Sequence, residues 1–504
     1  MDSRYVGALV LLLSCSPARS ITVDEILGRY EIALGGRGVL DGIHSLQMFG
    51  SVEGMGLSGT TYSVQKSPDW VMERIDIGPL SYAWAYAEEQ GWIQDHSGVV
   101  RTLSEAELEE FLLLAQVGAA APMSDELRAK MRLCDEFSDS SHVCVVVEHG
   151  GGPVHLFFNR DTGLLDKVKL SKLGMPVEAR FLDFRPAEGL MLPFRGVQTI
   201  AGMFSLEMKV DQVKVNATVS DAVFRRPGRL EIVRETSCVV PISMNGHLIA
   251  PVNLGETTTL RFYVDSGAGM SCIDKSAASR LGMTSQGALP AQGVVGFETV
   301  GVAQAEELSV GCVHMQGVRL AVVDLSLMNQ SEPEPVHGIL GYGLFSERSV
   351  GRIGRGDSLL LAPPGLDPGE DYVKLPLQFV ASVPMVDAYV EGRKGRFIID
   401  TGNSFPLIMH TPFAIQEGIM PPPESLALQS AAGIGGGGDV FVGEVDSLVL
   451  GGVRLEGVRT LFSPTGRGVT AATEVAGNIG LPLLERFDWV LDYQNAVLYL
   501  RSRQ

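Results

Sequence analysis

Along most of the chain, apolar and polar residues alternate in short runs. "GTTYSVQ" from Gly59, "HVCVVVEHG" from His142, "PVHLFFNRDTGLLDKVKL" from Pro153 and "MFSLEMKVDQVKV" from Met203 all have the period of two expected of half-buried β-strands. Two segments have the helical period instead. In "TVDEILGRYEIALGG", Ile26, Leu27, Tyr30 and Leu34 fall on one face, Thr22 and Glu25 form a capping box, and Gly35 is the stop. "SEAELEEFLLLA" predicts a second helix, with Ser104 and Glu107 in the same relation. These patterns predict a curved antiparallel sheet with one or two helices up to about Pro227.

After Thr236 the pattern repeats itself. "VVPISMNGHLIAPVNLGETTTLRFYVDSGAGMSCI" is answered by "KLPLQFVASVPMVDAYVEGRKGRFIIDTGNSFPLI", and Val240 precedes Asp265 by the same interval as Leu375 precedes Asp400. Farther on, "HGILGYGLFSERSV" is answered by "AGNIGLPLLERFDWV", and each copy closes on an apolar strand, "SLLLAP" or "AVLYLR". "PPGLDPGEDY", Pro363 to Tyr372, reads as the linker between the copies. The chain carries an internal duplication.

The duplication changes the meaning of an otherwise common tripeptide. Asp161-Thr162-Gly163 joins two alternating runs and predicts a hairpin turn. Asp265 and Asp400 instead follow Phe262-Tyr263-Val264 and Phe397-Ile398-Ile399, at the inner ends of strands that should be buried. An unpaired carboxylate is costly there. Two pseudo-symmetric copies can bring the loops together, so that the acids share a proton and a water and their two macroscopic pKa values are driven apart. One carboxylate could then activate water while the other polarises a carbonyl. Ser266 and Thr401 would tie the loops across the axis, Gly267 and Gly402 would leave room beside the acids, and Gly341 and Gly480 would admit a strand close behind each loop.

Composition narrows the alternatives. A formal charge of −19 and a pI near 5.0, with no basic block interleaved with aromatics, exclude a nucleic-acid partner. The apolar run after Arg4, about Tyr5 to Leu13, is shorter than the roughly 20 residues of a membrane span and predicts a secretory leader over residues 1–20. Two processing routes stay open: cleavage after Ala18-Arg19-Ser20, or lipid attachment at Cys15 of "LLSC". Secretion or periplasmic location is expected either way. Cys134 and Cys144 flank a polar stretch and could close a disulfide, while Cys238, Cys272 and Cys312 are scattered. No metal site is expected from the histidine and cysteine spacing. "GIGGGGD", with Gly433, Gly435 and Gly438, precedes strand sequence and is read as a flexible loop, not a nucleotide site. His337 and His410 are read as structural, and Trp70, Trp84, Trp92 and Trp489 as packing residues.

The second half resembles the aspartic protease superfamily, in particular bacterial envelope members with two retropepsin-like repeats. The resemblance implies that Asp265 and Asp400 are the catalytic pair, that Ile339-Leu340-Gly341 and Asn478-Ile479-Gly480 are the segments behind the loops, and that the enzyme is an endopeptidase without cofactor. Ser266 in place of Thr, Asn403 in place of a smaller residue and Asn478 in place of an apolar one depart from the family pattern and would fit partial degeneracy of one copy. "GVVGFETVG" and "GIGGGGDVFVG" occupy the interval of the flaps, with Phe297 the candidate aromatic. The phrases "ALGG", "ARFLDFRPAEGLMLPFR" and "VKVNATVSDAVFRRP" resemble lipoprotein-carrier-like domains, which implies an incomplete β-barrel with a helical lid over residues 21–228. Acid-protease lobes over 236–364 and 372–504 would follow. The expectation is a mainly β, monomeric, exported aspartic endopeptidase acting on a peptide or protein. The alternative is a non-catalytic binding protein for lipid, lipoprotein or peptide on a degenerate protease scaffold.

Overall fold

The computed structural model describes residues 21–503 except 97, 119–122, 150, 228–235, 256–257, 294–295, 435 and 464–467. The expected leader, with Cys15, lies outside the described residues, as does Gly435. With 54% strand and 16% helix the protein is mainly β, as the alternation requires.

Up to Val215 the chain builds one 13-stranded antiparallel sheet. Its first strand, Ser45–Gly54, pairs with its last long one, Phe204–Val215, and the rest fan out to edges at Val100–Thr102 and Met131–Leu133. No pairing joins those edges among the described residues. The helices Val23–Leu34 and Glu105–Gly118 cover one face: Ile26, Leu27, Tyr30 and Leu34 pack with Leu113, Val117, Val145, Val147, Leu156 and Phe158. An unclosed sheet covered by helices is consistent with the expected incomplete barrel and lid. The first helix starts on the Thr22–Glu25 capping box and stops at Gly35, as its pattern predicts. Asp161 sits in the turn between Gly152–Asn159 and Leu165–Lys172, where Asn159 Oδ1 accepts from the Asp161 and Thr162 amides.

Two eight-stranded sheets follow with the same internal strand order. In the first lobe, Gly338–Leu340 lies parallel to Thr258–Val264 and antiparallel to Cys272–Asp274. In the second, Gly477–Gly480 lies parallel to Arg393–Asp400 and antiparallel to Leu407–Met409. A strand hemmed in on both sides has both rows of its backbone groups paired, and every residue of these two central segments is buried. A six-stranded sheet with strands from both lobes, from Cys238–Pro241 to Val373–Pro376, joins them. One apolar core runs through both: Phe262, Val264, Leu340 and Phe345 belong to the same cluster as Phe397, Ile399, Ile479 and Trp489.

The cysteine expectation is corrected. The disulfide joins Cys238 to Cys312, and Cys134 and Cys144 are free. The loop between the latter pair is closed by hydrogen bonds instead: the Cys134 amide donates to the Cys144 carbonyl at 2.9 Å, and Ser138 Oγ accepts from the Cys144 amide and donates to the Cys134 carbonyl. Cys272 is a buried free thiol.

Candidate active site

Strand order alone delivers Asp265 and Asp400 to one place. Each ends a strand whose preceding three residues are fully buried, and each is followed by a tight loop. The loops are tied reciprocally across the lobe boundary. The Ser266 amide donates to Thr401 Oγ1 at 2.9 Å, and the Thr401 amide donates to Ser266 Oγ at 2.9 Å. Ser266 Oγ donates onward to the Ile399 carbonyl at 2.7 Å, and Thr401 Oγ1 to the Val264 carbonyl at 2.9 Å. Four hydrogen bonds inside a dry core, with both hydroxyls donating and accepting, leave the loops little freedom to slide.

The glycines mark how close the halves come. A Cβ on Gly402 would lie 2.3 Å from the Asp265 carboxyl carbon, and one on Gly267 would lie 2.8 Å from that of Asp400. Behind the loops, a Cβ on Gly341 would meet the Ala268 carbonyl oxygen at 2.6 Å and one on Gly480 the Phe405 carbonyl oxygen at 1.9 Å. All six loop residues named from the sequence therefore stand around the two acids.

The acids are held similarly at one oxygen and differently at the other. Asp265 Oδ1 accepts from the Gly267 amide at 2.8 Å, and Asp400 Oδ1 from the Gly402 amide at 3.1 Å. Asp400 Oδ2 also accepts from Asn478 Nδ2 at 3.0 Å. The corresponding residue of the first lobe is Ile339, which has nothing to donate. For Nδ2 to face the carboxylate, the Asn478 amide oxygen must face His410, 2.8 Å away, so the imidazole donates from Nε2. Burial pushes the Asp265 carboxyl well above the usual carboxylate range, and the Asp400 charge adds to it. Burial also raises Asp400, but the Asn478 hydrogen bond opposes it. The pair is thus biased to hold its proton on Asp265 and its charge on Asp400.

Residues 250–344 match the family model for aspartyl proteases. The matched segment contains Asp265, Ser266, Gly267 and Gly341; Asp400 and its loop lie beyond it. No curated protein matches the chain.

Two hairpins extend from the lobes in the interval expected of flaps. Gln286–Gln292 pairs with Phe297–Val310, and Ala427–Gly433 with Gly436–Leu450. Their tips meet: a Cβ on Gly293 would lie 1.6 Å from the Ile434 carbonyl oxygen. "GIGGGGD" is thus a hairpin tip rather than a phosphate loop, and Phe297 begins the returning strand of the first hairpin.

Asn478 and His410 are the residues that sequence reasoning undervalued. Asn478 counted as a departure from the pattern, and His410 as a structural residue. The signal for Asn478 was a polar side chain inside an otherwise apolar strand, Gly477–Gly480; His410, just after the strand Leu407–Met409, carries no such signal and is fully buried only in the fold. His337 stays structural, its Nδ1 accepting from the Arg261 amide. Of the tryptophans, Trp84, Trp92 and Trp489 are buried packing residues.

Proposed function

We propose that the protein is an exported aspartic endopeptidase that hydrolyses peptide bonds through a water held between Asp265 and Asp400, in an active site assembled from a duplicated lobe within one chain. The observation that carries this reading is the reciprocal Ser266–Thr401 bonding, which holds two buried carboxyl groups face to face. A packing role gives no reason to bury two acids against each other, whereas hydrolysis needs one of each protonation state.

Asp400, stabilised as the anion by Asn478 and the Gly402 amide, takes a proton from the water as that water attacks the scissile carbonyl carbon. Asp265, protonated, donates to the carbonyl oxygen as charge develops on it. The tetrahedral diol then breaks down: Asp400 passes its proton to the amide nitrogen, Asp265 takes one from a diol hydroxyl and the C–N bond breaks, releasing amine and carboxylic acid and restoring both acids to their starting states. The contacting hairpin tips close a roof under which an extended peptide would lie and from which water would be excluded. The Cys238–Cys312 disulfide supports export to an oxidising compartment.

The test is cleavage of a peptide library by residues 21–504 over about pH 3 to 8, beside Asp265→Asn and Asp400→Asn. Loss of cleavage in both variants supports the reading. Cleavage surviving either one, or a folded wild type that cleaves nothing, refutes it.

A further inference from the structure

The first sheet sends a charged side chain into the protease lobes. Arg101, from the edge strand Val100–Thr102, is 1% exposed although it carries a charge. Its guanidinium donates to both carboxylate oxygens of Glu107, at 2.7 and 2.5 Å, and to the Thr102 carbonyl at 3.1 Å. Glu107 is itself fixed by the amide and hydroxyl of Ser104 at the start of its helix. The remaining Nε–H leaves the sheet and donates to the Tyr342 hydroxyl at 2.6 Å. The guanidinium also lies over the Phe379 ring, 4.8 Å from its centre.

Tyr342 is the residue after Gly341, and the backbone there is what holds the Asp265 loop. The Asp265 amide donates to the Leu340 carbonyl at 2.9 Å, and the Tyr342 amide donates to the Ala268 carbonyl at 2.9 Å. The Tyr342 ring packs against Tyr493, at 5.7 Å between centres, and Phe379 meets Tyr493 at 5.1 Å. Tyr493 donates its hydroxyl to the carbonyl of Ser266, beside Asp265, at 2.9 Å. Arg101 therefore touches both routes to the loop, one through the Tyr342 backbone and one through the Phe379–Tyr493 rings.

The second lobe lacks this device. Leu481 holds the place of Tyr342, its amide donating to the Asn403 carbonyl at 2.9 Å, and its side chain offers no hydroxyl. Asp400 is braced from within its own lobe by Asn478, whereas the Asp265 loop is braced from outside. A charge taken fully out of water with its forked partner is an expensive way to attach two domains, since apolar packing of the same volume would serve stability as well. What the arrangement adds is a fixed direction at the Tyr342 hydroxyl.

We propose that Arg101 is a positioning residue of the active site, by which the first domain orients the Asp265 loop through Tyr342 and Tyr493. The first domain is then a working part of the protease rather than a detachable carrier. This inference rests on the aspartic endopeptidase reading.

The experiment measures kcat, KM and melting temperature of the full chain from residue 21 for wild type, Asp265→Asn, Tyr342→Phe and Arg101→Lys. Tyr342→Phe keeps the ring and leaves the Arg101–Glu107 pair intact, so it should fold; Arg101→Lys keeps the charge without the fork. Misdirecting a catalytic group costs about 10- to 100-fold in turnover. The expected result is a kcat loss of that size in Tyr342→Phe with KM within about twofold of wild type, and a smaller loss in Arg101→Lys. A kcat within about threefold of wild type in Tyr342→Phe, or a loss confined to KM or melting temperature, overturns the proposal. Should the wild type cleave nothing, or Asp265→Asn retain cleavage, the endopeptidase reading itself fails and takes this inference with it.

Discussion

Asn478 donates a hydrogen bond to Asp400 at 3.0 Å, while its counterpart Ile339 has no side-chain donor to offer Asp265. Two lobes built on one plan thus present their acids unequally. A symmetric pair has no built-in preference for which carboxyl ionises; here a side chain within one lobe provides it, and the buried His410 keeps that side chain oriented.

Asn478→Leu removes the donor while keeping the branched shape and the number of side-chain heavy atoms. A hydrogen bond to a charged group contributes about 1.5–3 kcal/mol, so the anionic form of Asp400 becomes harder to reach. The acid limb of the kcat/KM profile should move up by about one pH unit or more, with activity lost at low pH and recovered as pH rises. The pH profile of peptide cleavage checks this; an unmoved acid limb would remove Asn478 from the site.

His410 links stability to pH. Burial pushes its pKa from 6.5 down to about 4. Between those values the unfolded chain binds a proton that the folded protein refuses, so stability falls as pH drops from 6.5 towards 4. Urea unfolding at a series of pH values should show this slope in wild type and a shallower one in His410→Gln. Equal slopes would contradict the burial argument.

Thr401→Ala deletes one acceptor and one donor from the interlobe ties, leaving the Ser266 amide and the Val264 carbonyl unpaired in the core. Each buried unpaired group costs about 1–3 kcal/mol. Thr401→Ser, which keeps the oxygen, should lose much less. Chemical unfolding of the two variants separates the hydroxyl from the methyl group.

Gly402→Ala places a methyl group where the Asp265 carboxyl stands, at 2.3 Å. Backbone on both sides is fixed by the Ser266–Thr401 bonds, so the carboxyl must move. Turnover should fall by about 100-fold or more, with secondary structure by circular dichroism unchanged. Full activity would mean that the loops are looser than their hydrogen bonds imply.

The Cys238–Cys312 bond closes a segment of 74 residues that contains the whole Asp265 loop. Cys238→Ser with Cys312→Ser should lower unfolding free energy by about 2–5 kcal/mol. Reductant should reproduce the shift in wild type and leave the double variant unaffected. Replacing Cys134 and Cys144, both free, should not reproduce it.

What the sequence by itself determined is local or repetitive. The Thr22–Glu25 cap, the Asp161 turn, the alternating strands and the matched spacing around Asp265 and Asp400 are properties of neighbours along the chain or of one segment compared with its copy. They place two acids at the ends of two buried strands and require no knowledge of what lies beside them. Strand order decided the rest, because it sets which distant residues become neighbours. It carried Cys312 to Cys238 in a disulfide, while Cys134 and Cys144, neighbours in their loop, stay free thiols. It set Asn478 against Asp400, so that a polar residue that looked like decay became a hydrogen-bond donor. It also brought Arg101 under Tyr342, across more than two hundred residues of chain. A buried polar group shows its purpose only through its partner, and partners are a product of topology.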